Sequence, residues 1–169
     1  AAFRQFGAEM EFNDQGEVTL LKLSSTTCND EGLANLQALP KLKMLYLEST
    51  PITDDGLRHV ADLSELEELS LYNTTITSVG VNYIAGLQKL RSLGLNGTQV
   101  DDDCLEILAG LSSLELLWLD GSAVGDAVAT KLAGHPKLRQ IGVRGTLLTK
   151  AGVESLRAAL PQTMIHADP

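Results

Sequence analysis

Lysine and arginine are in short supply: 13 against 22 aspartates and glutamates, for a net charge of −9. Nucleic acid and anionic membrane both require clustered cations to displace counterions, so neither is expected as a partner. Aromatic residues make up 4% of the chain, which leaves any core to be built from aliphatic side chains. There are two cysteines, too few for a disulfide framework, and no Cys-x-x-Cys spacing. No apolar run approaches the roughly twenty residues of a membrane span. No basic, then apolar, then small-residue leader opens the chain. What remains is 169 residues, 44% hydrophobic and 21% charged, enough for one folded domain with a sizeable core.

The chain repeats itself. Cutting before each apolar alternation yields six ungapped blocks of 24 residues over 18–161, among them LKMLYLESTPITDDGLRHVADLSE (42–65) and LEELSLYNTTITSVGVNYIAGLQK (66–89). Each block opens on a two-residue period, as at Leu45 and Leu47, the mark of a strand with one buried face. Its second half has helical spacing, as at Leu57, Val60 and Ala61. Between them lies Thr-Asp-x-Gly, whose Thr or Asp is suited to cap a helix and whose Gly supplies either room or backbone freedom. Strand then helix, repeated in register, predicts an α/β solenoid with a parallel concave sheet and helices on the convex side. The ninth position reads Thr26, Thr50, Thr74, Thr98, Ser122, Thr146, a hydroxyl column expected to bond backbone where each strand ends.

The ends depart from the repeat. Residues 1–17 are expected to form an N-terminal cap, with a short strand over 8–12 and Phe3 and Phe6 over the open core. Residues 162–169 are expected to form a C-terminal cap, with Thr163 to Ala167 pairing as a last strand and Pro169 stopping it. The whole is expected to be one domain.

The pattern LxxLxLxxT followed by ITDxGLxxLAxL resembles the leucine-rich repeat family. The ITDxGL helices are similar to those of its ribonuclease-inhibitor-like and F-box-associated type, in a bacterial style with Thr or Ser in place of the usual Cys. The resemblance implies a right-handed horseshoe and a recognition surface rather than a catalyst. It implies no cofactor. No segment resembles an F-box, so a ubiquitin-ligase adaptor role has no support. Multi-cysteine caps typical of secreted eukaryotic relatives are missing, which leans towards an intracellular or bacterial protein and leaves the compartment unassigned.

Candidate chemistry is sparse. Cys28 and Cys104 stand three repeats apart, some 14 Å across the sheet, beyond the reach of a disulfide. Both are read as small buried residues. His59, His135 and His166 fall in different phases, and His135 takes a leucine position, so a hydrogen-bonded, partly buried ring is expected there. Asp101, Asp102 and Asp103, with Asp54, Asp55 and Asp126 on neighbouring turns, offer oxygen atoms to a hard cation. They lack the shaped glycine loop and bidentate Glu of a calcium site, so no metal, catalytic or cofactor residue is assigned.

Strand alternation instead directs attention to the concave face. There Met44, Tyr46, Glu48, Glu68, Ser70, Tyr72, Gly94, Asn96, Leu116, Trp118 and Asp120 are the expected contacts for a protein or peptide. Ser70, Ser92 and Gly94 leave a low floor between Met44 with Tyr46 and Leu116 with Trp118. Two other readings stand beside this one. Trp118 lies between Gly94 and Gly142 in its column and is able to shield backbone there, and Tyr83 with Ile107 on the helical back offers a surface for self-association. A non-catalytic, monomeric interaction scaffold is the leading expectation. A targeting domain of a larger protein and a metal-dependent enzyme are the alternatives.

Overall fold

The structure is a computed structural model describing residues 2–168. Ala1 and Pro169, the outermost residues of the two expected caps, lie outside it. Eight strands form one sheet in chain order: β1 (Glu9–Phe12), β2 (Val18–Lys22), β3 (Met44–Tyr46), β4 (Glu68–Ser70), β5 (Ser92–Gly94), β6 (Leu116–Trp118), β7 (Gln140–Gly142) and β8 (Met164–His166). β1 runs antiparallel to β2, and every later pair is parallel. This is the solenoid that the repeat predicts.

Each coil returns along the convex side through a short helix: α1 (Asp30–Leu33), α2 (Asp54–Leu57), α3 (Ser78–Val81), α4 (Leu105–Gly110), α5 (Ala127–Lys131) and α6 (Lys150–Ala159). Most are barely one α-turn, and α1 and α3 continue as 3-10 helix over Ala34–Ala38 and Asn82–Ile84. The last, α6, is the exception at ten residues. The core lies between the two layers. In the second repeat Leu42, Leu45 and Leu47 from the strand side meet Ile52, Leu57 and Val60 from the turn and helix, all fully buried. Each such side chain contributes about 1.5–3 kcal/mol by leaving water. Phe3 is buried at the N-terminal end of this core, and Phe6 packs against it.

One corner per coil is left-handed. Ser25, Ser49, Asn73, Gly97, Gly121 and Gly145 occupy the eighth position of successive blocks, and all have φ between 53° and 71°. The next residue secures the corner. The hydroxyls of Thr26, Thr50, Thr74, Thr98 and Thr146 donate to the carbonyl three residues back at 2.6–2.8 Å. Ser122 holds the same place, buried, with no partner for its Oγ.

The Thr-Asp-x-Gly segment joins one coil to the next. Thr53, Thr77 and Thr149 cap their own helices. The backbone N–H and hydroxyl of each also donate to the aspartate one repeat earlier: Thr53 to Asp30, Thr77 to Asp54, Thr149 to Asp126, all at 2.6–2.8 Å. The glycine gives that aspartate room, since a β-carbon at Gly56, Gly80 or Gly152 would overlap the Asp30, Asp54 or Asp126 carboxylate. None of these three glycines has positive φ, so the need is space rather than backbone freedom. Where the glycine is replaced, its neighbour differs. Cys104 follows a repeat with Ser78 in place of the aspartate. Val128 follows Asp102, which accepts only from the backbone N–H of Gly125, at 2.7 Å.

Two outcomes test this account. Ser25→Gly removes a left-handed serine and is expected to stabilise the fold by about 1 kcal/mol, while Gly121→Ala costs about 1–2 kcal/mol. Urea unfolding midpoints that move in neither direction would discard the corner argument. Gly80→Ala is expected to cost about 1–3 kcal/mol. Combining it with Asp54→Ser should recover part of that loss, and a strictly additive double-mutant cycle would show that the two positions do not compete for space.

Candidate functional site

Parallel pairing sets the concave side chains in rows. Leu20, Met44, Glu68, Ser92, Leu116, Gln140 and Met164 stand in one, and Lys22, Tyr46, Ser70, Gly94, Trp118, Gly142 and His166 in the next. The ladder continues beyond the strands: Ser49 N–H donates to Tyr72 O, Asn73 N–H to Asn96 O and Gly97 N–H to Asp120 O, all at 2.8–2.9 Å. Glu48, Tyr72, Asn96 and Asp120 therefore form a third row. Of the eleven residues expected on this surface, Tyr72 is exposed at 50% and the other ten are half-buried.

The two apolar clusters are separate. On the N-terminal side Tyr46 Oη donates to Glu68 Oε2 at 2.8 Å and lies 3.8 Å from Met44 Sδ. Burial pushes the Tyr46 phenol up to about 12, helped by that bond and by the charges of Glu68, Glu48 and Glu11. Ser24 Oγ donates to Glu48. On the C-terminal side Trp118 stacks on His166, ring centroids 5.5 Å apart. It crosses Gly142, where a β-carbon would come within 2.8 Å of Trp118 Cε3. The same test at Gly94 meets Ser70 first, its Oγ at 3.3 Å. The ring thus lies against Gly142, while Ser70 is the nearest neighbour at Gly94.

Between the clusters a recess of about 170 Å³ is lined by Glu67, Glu68, Arg91, Ser92, Glu115 and Leu116. The side-chain carbonyl of Asn96 is buried without a hydrogen-bond partner, and Asp120 Oδ1 accepts from Arg144 N–H at 2.6 Å. Along the rim Lys43 pairs with Glu67 at 3.0 Å, and Arg91 and Arg139 with Glu115 at 2.9 and 3.5 Å. A cavity of about 570 Å³ lies elsewhere, among Gly134–Arg139 and Ala159–Thr163, and holds none of the expected residues.

Cys28 and Cys104 are free and buried, and burial raises both thiols to about 11. Asp101 caps its own helix by accepting from Asp103 N–H and also accepts from Ser78 Oγ. Asp54 and Asp126 are committed to Thr77 and Thr149. Among the described residues no group of three or more His, Cys, Asp or Glu side chains is placed to hold a metal ion. His135 is half-buried with Nε2 3.2 Å from Leu111 O. On the convex side Tyr83 is 36% exposed and Val79 64%, while Ile107 is half-buried.

Sequence reasoning named Gly142 beside Trp118 but missed His166 and Glu11 as neighbours of the two aromatics. Extending the 24-residue count past Pro161 places His166 at the fifth position of a seventh block, in the row of Trp118. That signal was present in the sequence.

Burial holds the His135 imidazole below its ordinary 6.5, so the unfolded chain takes up the proton first. Its contribution to stability is complete above the ordinary value. It declines as pH falls below 6.5 and levels off under the lowered pKa. His135→Gln is expected to flatten that segment of a pH–stability curve, and an unchanged slope would mean that the ring is not desolvated.

The family model for leucine-rich repeats matches residues 40–100. No curated protein matches the sequence. Among solved structures, internalin C2 from Listeria monocytogenes superposes with a TM-score of 0.62 at 22% identity, covering 89% of this chain and 81% of that one. Pollen receptor kinase 3 gives 0.62 at 15%, covering 94% and 76%. The plant peptide hormone receptor RGFR1, solved in complex with RGF2, gives 0.58 at 20%, covering 94% of this chain and 28% of the receptor. These likenesses show the fold: a leucine-rich repeat solenoid. Among the described residues no helix is long and apolar enough to cross a membrane.

Proposed function

We propose that this leucine-rich repeat solenoid is a non-catalytic scaffold that binds a protein or peptide segment on its concave sheet. Leucine-rich repeat proteins are typically interaction scaffolds and generally not enzymes, and RGFR1 was solved with a ligand bound. The observation that carries the reading is the in-register face itself. It presents Met44 with Tyr46 and Leu116 with Trp118 at the two sides of a low floor. Tyr and Trp are over-represented among the residues that dominate interface energies. Glu48 and Glu68 are engaged by the Ser24 and Tyr46 hydroxyls and Asp120 by Arg144 N–H, and no histidine or cysteine bonds any of the three among the described residues, which supports recognition over catalysis. We further infer that the repeats are of the ITDxGL type, because their Thr, Asp and Gly carry out three separate tasks.

Trp118 also shields Gly142, and that is its competing explanation. The two separate experimentally. Trp118→Ala with Tyr46→Ala, verified as folded by circular dichroism, should retain its coils and lose a specific partner captured by the parent chain from source lysate. Identical captures from both proteins would assign the aromatics to backbone shielding. A second expectation concerns mass in solution. The chain is expected to be monomeric, and a concentration-dependent mass abolished by Tyr83→Glu would move the interface to the convex side.

A further inference from the structure

The concave sheet is an unpartnered face with unequal halves. Around Tyr46 stand Glu11, Glu48 and Glu68, and Lys22, next to Tyr46 in its row, is already held by Glu9 at 3.5 Å. Glu11, Glu48 and Glu68 have no cationic partner among the described residues. The other half carries the apolar pair Leu116 and Trp118, the latter against His166, and its carboxylate, Asp120, already accepts from Arg144 N–H. The floor between is Ser70, Ser92 and Gly94, next to the 170 Å³ recess.

Resting on the concave-face reading above, we propose that the occupant is an extended peptide carrying a lysine or arginine and, four residues further on, a large apolar side chain. The cation lies against Tyr46 among Glu11, Glu48 and Glu68, and the apolar group lies on Leu116 and Trp118.

The spacing follows from sheet geometry. Tyr46 is on β3 and Trp118 on β6, three strand intervals apart, or about 14 Å at roughly 4.8 Å each. An extended chain advances about 3.3 Å per residue, so about four residues span the gap. Parity agrees, because residues i, i+2 and i+4 of an extended chain share one side. The first and last then face the sheet, with the middle one over Ser70 and Gly94. The charge follows from the carboxylates. They lack countercharges and flank an aromatic ring, an arrangement that attracts a cation by Coulomb and cation–π terms together. An acidic side chain at the same place would meet three like charges.

Trp118, the one tryptophan of the chain, provides the readout. Its fluorescence is followed on the intact chain during titration with three nine-residue peptides. One is a Gly-Ser peptide with Lys and Leu four residues apart, the second carries Glu for Lys, and the third places Lys and Leu side by side. The first is expected to bind at least about tenfold more tightly than either other. Glu48→Gln with Glu68→Gln should erase that preference, since Gln keeps the acceptor for Tyr46 and removes only the charge. Equal binding of the Lys and Glu peptides would overturn the charge selectivity and leave the concave reading intact. Equal binding of the first and third would overturn the spacing. Silence from all three up to millimolar concentration would overturn the inference, and the lysate comparison decides separately whether the face binds anything else.

Discussion

A coil of this solenoid closes because one residue in every 24 adopts a left-handed backbone. The chain turns there, just past the strand, and in five of the six repeats the threonine hydroxyl that follows bonds the carbonyl three residues back. Without that corner the helical layer would not lie over the leucines, and the sheet would have no packed side. The first three repeats meet the requirement with Ser, Ser and Asn, the last three with Gly. Asparagine and glycine adopt this conformation cheaply, and serine does so at a cost. The burial around each corner offsets it.

The coils are joined by a second, polar device on the convex side. Aspartate, threonine and glycine form an interlocking chain in which the carboxylate of one repeat organises the helix start of the next. These bonds lie beside the core, where a carboxylate accepting from both an N–H and a hydroxyl is well satisfied. They also hold neighbouring coils at a fixed rotation. The concave rows depend on this, because a face assembled from one side chain per strand is only as regular as the stacking behind it. The stiffness of the back preorganises the front.

Much of this was legible before any coordinates. Six ungapped blocks of equal length determine which residues share a row, so Met44, Tyr46, Leu116 and Trp118 fall on one face by counting alone. The inward leucines follow from the same alternation. What the sequence left open were contacts set by side-chain direction. Nothing in the spelling of the fifth repeat says that Trp118 lies against Gly142 and meets a histidine 48 residues later in an atypical final strand. Nor could spacing decide whether Gly80 provides freedom or room. That answer lies in Asp54, 26 residues earlier, whose carboxylate occupies the space a β-carbon would need. The length of the helices was likewise hidden, since helical spacing persists through 3-10 turns.

The pairing of Ser78 with Cys104, and of a differently bonded Asp102 with Val128, has a bearing on how such a chain changes. A repeat looks like an exchangeable tile, yet its aspartate position is matched to the glycine position of the tile that follows. What is inherited as a unit is therefore the seam. A tandem duplication cut at block boundaries keeps the existing seams and adds one, and deletion of an internal block removes two and creates one. The new seam keeps the Thr–Asp bonds where an aspartate meets a glycine, whereas opposite a valine the carboxylate bonds differently, as Asp102 does to Gly125 N–H. Middle seams with mismatched occupants act as grammatical stops within an otherwise repetitive text, and they restrict which coils can be copied next to which.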